Sequence, residues 1–303
     1  MINYDDMLNV QADSLKDSKT LFAEESRENR NRCYEMAERT TLAVAENADV
    51  FQQYLNLQSR FDRYTPNNVI LILAQNPDAQ KLGDYGYWRE QGVFVRRKES
   101  DHPILILEPG KEYEREDGSI GTYYNAKKLY DISQTTFRER NTQAETMDDR
   151  LLVRALVNNP PANIVSTEPE NMPENKEAVF VPEQSKIYVK KGMDAHEIFK
   201  SVIPELVHAN LAYGDNHYDR STNEFYAACV TYMLCKKYGV DMESVDFKAV
   251  PERFGGMETK EIRGELSVMR DEMNAISSRM AKVLDANREN GGKQHHSMER
   301  GSR

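Results

Sequence analysis

Apolar residues along this chain fall into runs of different period. Between residues 32 and 63, Val44, Val50, Phe51, Tyr54, Leu55 and Phe61 recur at near-helical spacing with no proline among them, which predicts one helix. Tyr64, Thr65 and Pro66 end it. Thr65 suits an N-cap and Pro66 a first helical position, opening a short apolar helix over 67–75 that Asn76, Pro77 and Asp78 stop. From Gly92 onward the pattern is that of strands: Val93, Phe94 and Val95, then a charged turn over 96–102, then Ile104, Leu105, Ile106 and Leu107. A further strand is expected over 123–132.

The stretch 168–175 is crowded with Glu, Asn and Pro and reads as a boundary. Beyond it, Ala178, Val179, Phe180 and Val181 and then Lys186, Ile187, Tyr188 and Val189 flank a turn at 182–185, a hairpin pattern. Ile198, Phe199, Val202, Ile203, Leu206 and Val207 give a helix its buried stripe, and residues 225–238 form another, stopped by Gly239. Finally Ile262, Leu266, Met269, Met273, Ile276, Met280 and Val283 alternate spacings of four and three, a heptad seam suited to packing on the body or to a homodimer or protein partner through 262–283. The fold class is therefore α+β. The expected organisation is a polar arm at 1–30, an α+β module at 31–147, a linker at 148–175, a hairpin-plus-helices domain at 176–257, an amphipathic helix at 258–290 and a disordered tail at 291–303.

Composition narrows the function. The 303 residues carry a net charge of −10, which opposes coating of duplex DNA by a broad basic face. A single-strand binder needs only a local groove of aromatic platforms and cations. Three cysteines, Cys33, Cys229 and Cys235, form no Cys-x-x-Cys pair and read as reduced core thiols. The longest apolar run, residues 69–74, is far short of the roughly 20 residues that span a bilayer. With no apolar region behind a basic start, a cytoplasmic protein without membrane contact is expected.

Two clusters could carry chemistry. Residues 84–98 hold Arg89, Arg96, Arg97 and Lys98 against Asp84 and Glu90, with aromatics interleaved. Tyr64, Asn67, Asn68, Tyr87, Trp88, Arg96, Arg97 and Lys98 are the candidate nucleic-acid contacts: rings to stack on bases, cations to follow phosphates, amides to meet base edges. A core Trp88 and a solvated turn at 96–98 fit the same residues. The second cluster is Pro204-Glu205-x-x-His208, similar to a zincin helix in which His-Glu-x-x-His sets two imidazoles one turn apart beside a general base. Here Pro204 stands where the first ligand would be and offers no donor atom.

The blocks YTPNNVILILAQNP, GYWREQGVFVRRKE, PILILEP and YDISQT, in that order, resemble the N-terminal domain of the ArdC antirestriction family over residues 45–136. Tyr64, Asn67, Asn68, Gln75, Pro77, Trp88, Gly92, Pro109, Asp131, Gln134 and Thr135 carry the likeness. The family's turn glycine after the basic pair is replaced around 98–100. The resemblance implies single-stranded-DNA binding by the first domain. NEFYAACVTYMLCKKYGVD is similar to the third-ligand helix of the same family, with Glu224 at the ligand position and Ala227 at the small one. That leaves Glu205 as a vestigial general base and His208 and Glu224 as vestigial ligands. The expectation is a DNA-binding accessory protein of a plasmid or conjugative element with an inactive peptidase-like domain and no cofactor. Two alternatives stand beside it: a zinc metallopeptidase with a ligand set rearranged around His217, and a coiled-coil assembly protein.

Overall fold

The computed structural model describes residues 4–138, 148–215, 217–242 and 245–300, with side chains described from 20 to 288. It is mixed α+β and divides into two compact units between which the chain passes three times: Met1–Glu46 with Asn67–Arg140, and Asn47–Pro66 with Asn141–Arg303. Among the described residues no helix is long and apolar enough to cross a membrane.

Three helices open the chain: α1 (Tyr4–Glu46), α2 (Ala48–Arg60) and α3 (Pro66–Gln75). The sequence pattern over 32–63 suggested one helix, but Asn47 divides it. Its backbone is extended and its carboxamide accepts hydrogen bonds from the amides of Asp49 and Val50, so it caps α2. Of the polar arm expected at 1–30, residues 4–30 are the beginning of α1, and 1–3 lie outside the described residues.

In the first unit α1 and α3 are joined by β1 (Leu82–Gly83), α4 (Tyr85–Glu90), β2 (Ile104–Glu114) and β3 (Ile120–Asp131). The sheet order is β1-β3-β2, all antiparallel. Cys33, Met36 and Ala37 of α1, Leu71 of α3, and Leu105 and Leu107 of β2 form one buried cluster. The strand predicted over Val93, Phe94 and Val95 is absent. Only Val95 makes an isolated bridge, to Thr135, and residues 97–99 form a single 3-10 turn.

The second unit contains α2, α5 (Asp149–Leu156), β4 (Asn163–Thr167), β5 (Ala178–Val181), β6 (Lys186–Lys190), α6 (Ala195–Ala212), α7 (Arg220–Tyr238), α8 (Val250–Arg253) and α9 (Thr259–Arg300). The expected linker at 148–175 is structured: it supplies α5 and β4, and β4 pairs in parallel with β6. The two sheets share no strand, and the predicted hairpin of β5 and β6 is present. Phe51 of α2 lies among Phe225, Phe247 and Phe254, with ring centroids 5.7, 5.4 and 5.9 Å away. The heptad seam is used inside the unit, except that Val283 at its end is only half-buried. Ile262, Leu266, Met269, Met273, Ile276 and Met280 are buried, and α9 packs on α5 and α7, so the residues proposed for a homodimer face the chain's own core. The tail expected to be disordered from 291 continues α9 to Arg300, and 301–303 lie outside the described residues.

Candidate functional site

On the first unit, the polar residues singled out by sequence divide into frame and surface. The Asn68 carboxamide donates to the carbonyl of Leu107 and accepts from its amide, both at 2.9 Å. Two helical turns on, Gln75 does the same to Leu105, again at 2.9 Å each way. Residues seven apart on α3 share a face, and alternate residues of β2 present their backbone groups to one edge, so two side-chain amides continue the ladder where a strand would otherwise pair. Trp88 is only 2% exposed and donates its indole N–H to the carbonyl of Tyr130. It is core, and no base can stack on it. Asp131 is buried and accepts from the amides of Gln80, Lys81 and Ser133, while Gln134 closes the capping box and donates to the carbonyl of His102.

The surface residues are different ones. Tyr87 is half-buried, edge-on to Trp88 with the Lys81 ammonium 5.5 Å from its ring centroid, and Asn67 is half-buried. Tyr64 belongs to the second unit, where its ring meets Phe61 edge-on. Arg96, Arg97 and Lys98 are exposed, and Arg96 donates to the carbonyl of Ser133. Two of the aromatics interleaved with these cations are presented to solvent: Phe94, 59% exposed, and Tyr85, 52%. Arg97 and Lys98 lead directly into residues 99–102, which line a groove of about 1330 Å³ in this unit. Tyr85, Arg32, Arg39 and Lys128 also line it, with Glu35 and Asp101 among the acids. Its charge is mixed, and the three consecutive exposed cations at 96–98 precede it in the chain without lining it.

On the second unit, α6 and α7 bring Glu205, His208 and Glu224 into one cluster with Arg220. Glu205 is 3% exposed, and its carboxylate is fully engaged. It accepts from the Phe180 amide at 2.6 Å and from both terminal nitrogens of Arg220, at 2.8 and 2.6 Å. Such a bidentate charge-assisted pair is the strong form of an ion pair. Arg220 Nε is also 3.7 Å from Glu224 Oε2. His208 is buried, with Nε2 3.2 Å from Glu224 Oε2 and Nδ1 2.9 Å from the Tyr218 hydroxyl. Burial, reinforced by the Arg220 charge, holds its pKa below the usual value. Burial likewise pushes the Tyr218 hydroxyl up to about 12. A neutral ring satisfies both partners when Nε2 carries the proton and donates to the Glu224 carboxylate, and the Tyr218 hydroxyl donates to Nδ1.

Among the described residues no group of three or more His, Cys, Asp or Glu is arranged to hold a metal ion. The donors do not fit one: Pro204 contributes nothing, the Glu205 carboxylate is bound by a guanidinium and a backbone amide, and both ring nitrogens of His208 are engaged, by Glu224 and Tyr218. His196 pairs instead with Asp149 at 3.1 Å, and the exposed His217 adjoins a residue outside the described set. Sequence reasoning missed Arg220 and Tyr218. Arg220 had a legible signal, since it stands four residues before Glu224 on the same helix face. Tyr218 had none.

No protein-family model matches the chain, and no curated protein matches it. Among solved structures it is similar to the antirestriction protein ArdC from plasmid R388. In the metal-free form the identity is 16%, over 72% of this chain and 86% of that one, with a TM-score of 0.48. In the Mn(II)-bound form the identity is 13%, over 82% and 97% respectively, again with a TM-score of 0.48.

Proposed function

We propose that this chain is an ArdC-like, single-stranded-DNA-binding accessory protein of a plasmid or conjugative element, acting in the cytoplasm, whose second unit is a peptidase-like domain without catalysis. The four ordered sequence blocks support the family reading. The observation that carries the DNA reading is the exposed Phe94 ring two residues before three consecutive exposed cations, Arg96, Arg97 and Lys98, which lead into the groove-lining residues 99–102. A ring in solvent beside cations has the chemistry of a stacking platform with a phosphate track. A chain of net charge −10 gains little from duplex coating, so binding must come from exposed base faces, which a duplex hides.

Fluorescence anisotropy with single-stranded and duplex oligonucleotides of equal length, across a salt series, tests this. Single strands are expected to bind more tightly. Replacing Arg96, Arg97 and Lys98 together by Ala removes three cations, each worth about 0.7 of log-log salt slope on a single strand, so the slope drops by roughly 2. Phe94→Ala weakens binding by about 1–3 kcal/mol at nearly constant slope. Absence of any single-strand preference at low salt would end the reading. On this reading Glu205 does not serve as a general base, because its carboxylate is held by the Arg220 guanidinium.

A further inference from the structure

We infer that Arg220 is the resident cation of the pseudo-peptidase site: its guanidinium ties together the two carboxylates, Glu205 and Glu224, that a metal and its activated water would otherwise engage. The inference rests on reading the second unit as peptidase-like, and is independent of DNA binding by the first.

The geometry carries it. Arg220 opens α7, where Asp219 caps the helix by accepting from the Ser221 amide, and its side chain reaches Glu205 with two nitrogens at 2.6 and 2.8 Å. Glu205 is held from the other side by the Phe180 amide at the end of β5, so the carboxylate cannot turn away from the guanidinium without giving up a buried partner. The third member, Glu224, is held electrostatically by Arg220 and through hydrogen bonding by His208. Arginine stays charged at every accessible pH and offers a fixed planar fork, so this cation needs neither loading nor a third ligand. Pro204 is then one of two barriers to metal. Giving the helix its missing imidazole still leaves the Arg220 guanidinium, a fixed positive charge, against Glu205 and 3.7 Å from Glu224, where it repels a metal ion and competes for its carboxylate ligand.

Cobalt(II) titration, read by its visible ligand-field absorption, with zinc(II) competition, separates the barriers in four full-length proteins: wild type, P204H, R220A and P204H/R220A. P204H is expected to gain less than about threefold in cobalt affinity over wild type. The double variant is expected to bind one equivalent at least about 100-fold more tightly than P204H. Histidines elsewhere in the chain are common to all four proteins and cancel. P204H binding as tightly as the double variant would overturn the inference, as would a folded double variant that binds no better than P204H. R220Q replaces R220A if the latter does not fold. A metal-free readout stands beside these: urea unfolding of E205Q, R220Q and E205Q/R220Q. If the two residues act as one unit, the double variant's folding constant lies within about tenfold of the worse single variant. Fully additive losses would equally overturn the inference. Cobalt and DNA titrations on the same proteins can fail separately, which distinguishes loss of this inference from loss of the proposed DNA function.

Discussion

Asn68→Ala should unfold the first unit far more readily than it disturbs DNA binding. The substitution strips two partners from Leu107, a residue 5% exposed, and each buried backbone group left unpaired costs about 1–3 kcal/mol. Water can reach the edge in part, so the expected loss is about 2–4 kcal/mol. That is a large share of a domain stability of order 5–15 kcal/mol. Trp88 is the only tryptophan in the chain and is buried in this unit, so its emission reports this unit's unfolding. At an m-value of about 2 kcal/mol per molar urea the midpoint falls by roughly 1–2 M. Asn68→Asp keeps the acceptor for the Leu107 amide but sets a carboxylate against the Leu107 carbonyl, and should cost no less than Ala. Gln75→Ala should behave alike through Leu105. A midpoint shift below about 0.3 M at constant m would refute the backbone-pairing role. Loss of DNA affinity at unchanged stability would make Asn68 a base contact after all.

Trp88→Phe removes the indole bond to Tyr130 and some core volume; a loss of about 1–3 kcal/mol by circular dichroism is expected, with DNA affinity unchanged. Glu272 accepts from Asn210, and burial raises its carboxyl above the ordinary 4.5. Between 4.5 and the raised value the folded chain binds more protons than the unfolded one. Stability therefore falls as pH rises through that window, and the penalty persists at neutral pH. Glu272→Gln should accordingly raise the melting temperature at pH 7 and leave it unchanged below pH about 4, and equal melting at both would refute the charge penalty. All three cysteines are buried, with burial pushing the Cys33 thiol up to about 11 and Cys235 up to about 12. Ellman's reagent at pH about 8 should label none of them before denaturation, and rapid native labelling would contradict their burial.

The sequence made the period of each element legible more readily than the use of each polar side chain. Strands β2 and β3, the β5–β6 hairpin and the helices α6 and α7 follow from apolar spacing, because burial of one face imposes that spacing. Val93, Phe94 and Val95 look like a strand by composition, yet only Val95 finds a bridging partner, since pairing is decided by residues far along the chain. Asn68 and Gln75 were legible as special and illegible as to purpose: an amide that reads a base edge and one that reads a strand edge are chemically the same group. Of the neighbours of Glu205 and His208, Glu224 was anticipated by the family resemblance, while Arg220 was missed and Tyr218 reaches His208 from a loop no periodicity marks. The heptad seam of α9 was visible, but sequence does not say whose surface fills it.

The insertion of α2 between two helices of the other unit constrains how this protein can be made or dissected. Phe51, Tyr54 and Leu55 are fully buried, and Phe51 meets rings at positions 225, 247 and 254, just over 200 residues downstream at the farthest. During synthesis that apolar face leaves the ribosome long before its partners exist, exposing it to chaperones or to aggregation in the meantime. A fragment cut after residue 140 would keep the whole first unit and still carry an orphaned sticky helix. A soluble minimal version therefore requires replacing residues 47–66 with a polar bridge, and no single cleavage point yields two self-sufficient halves.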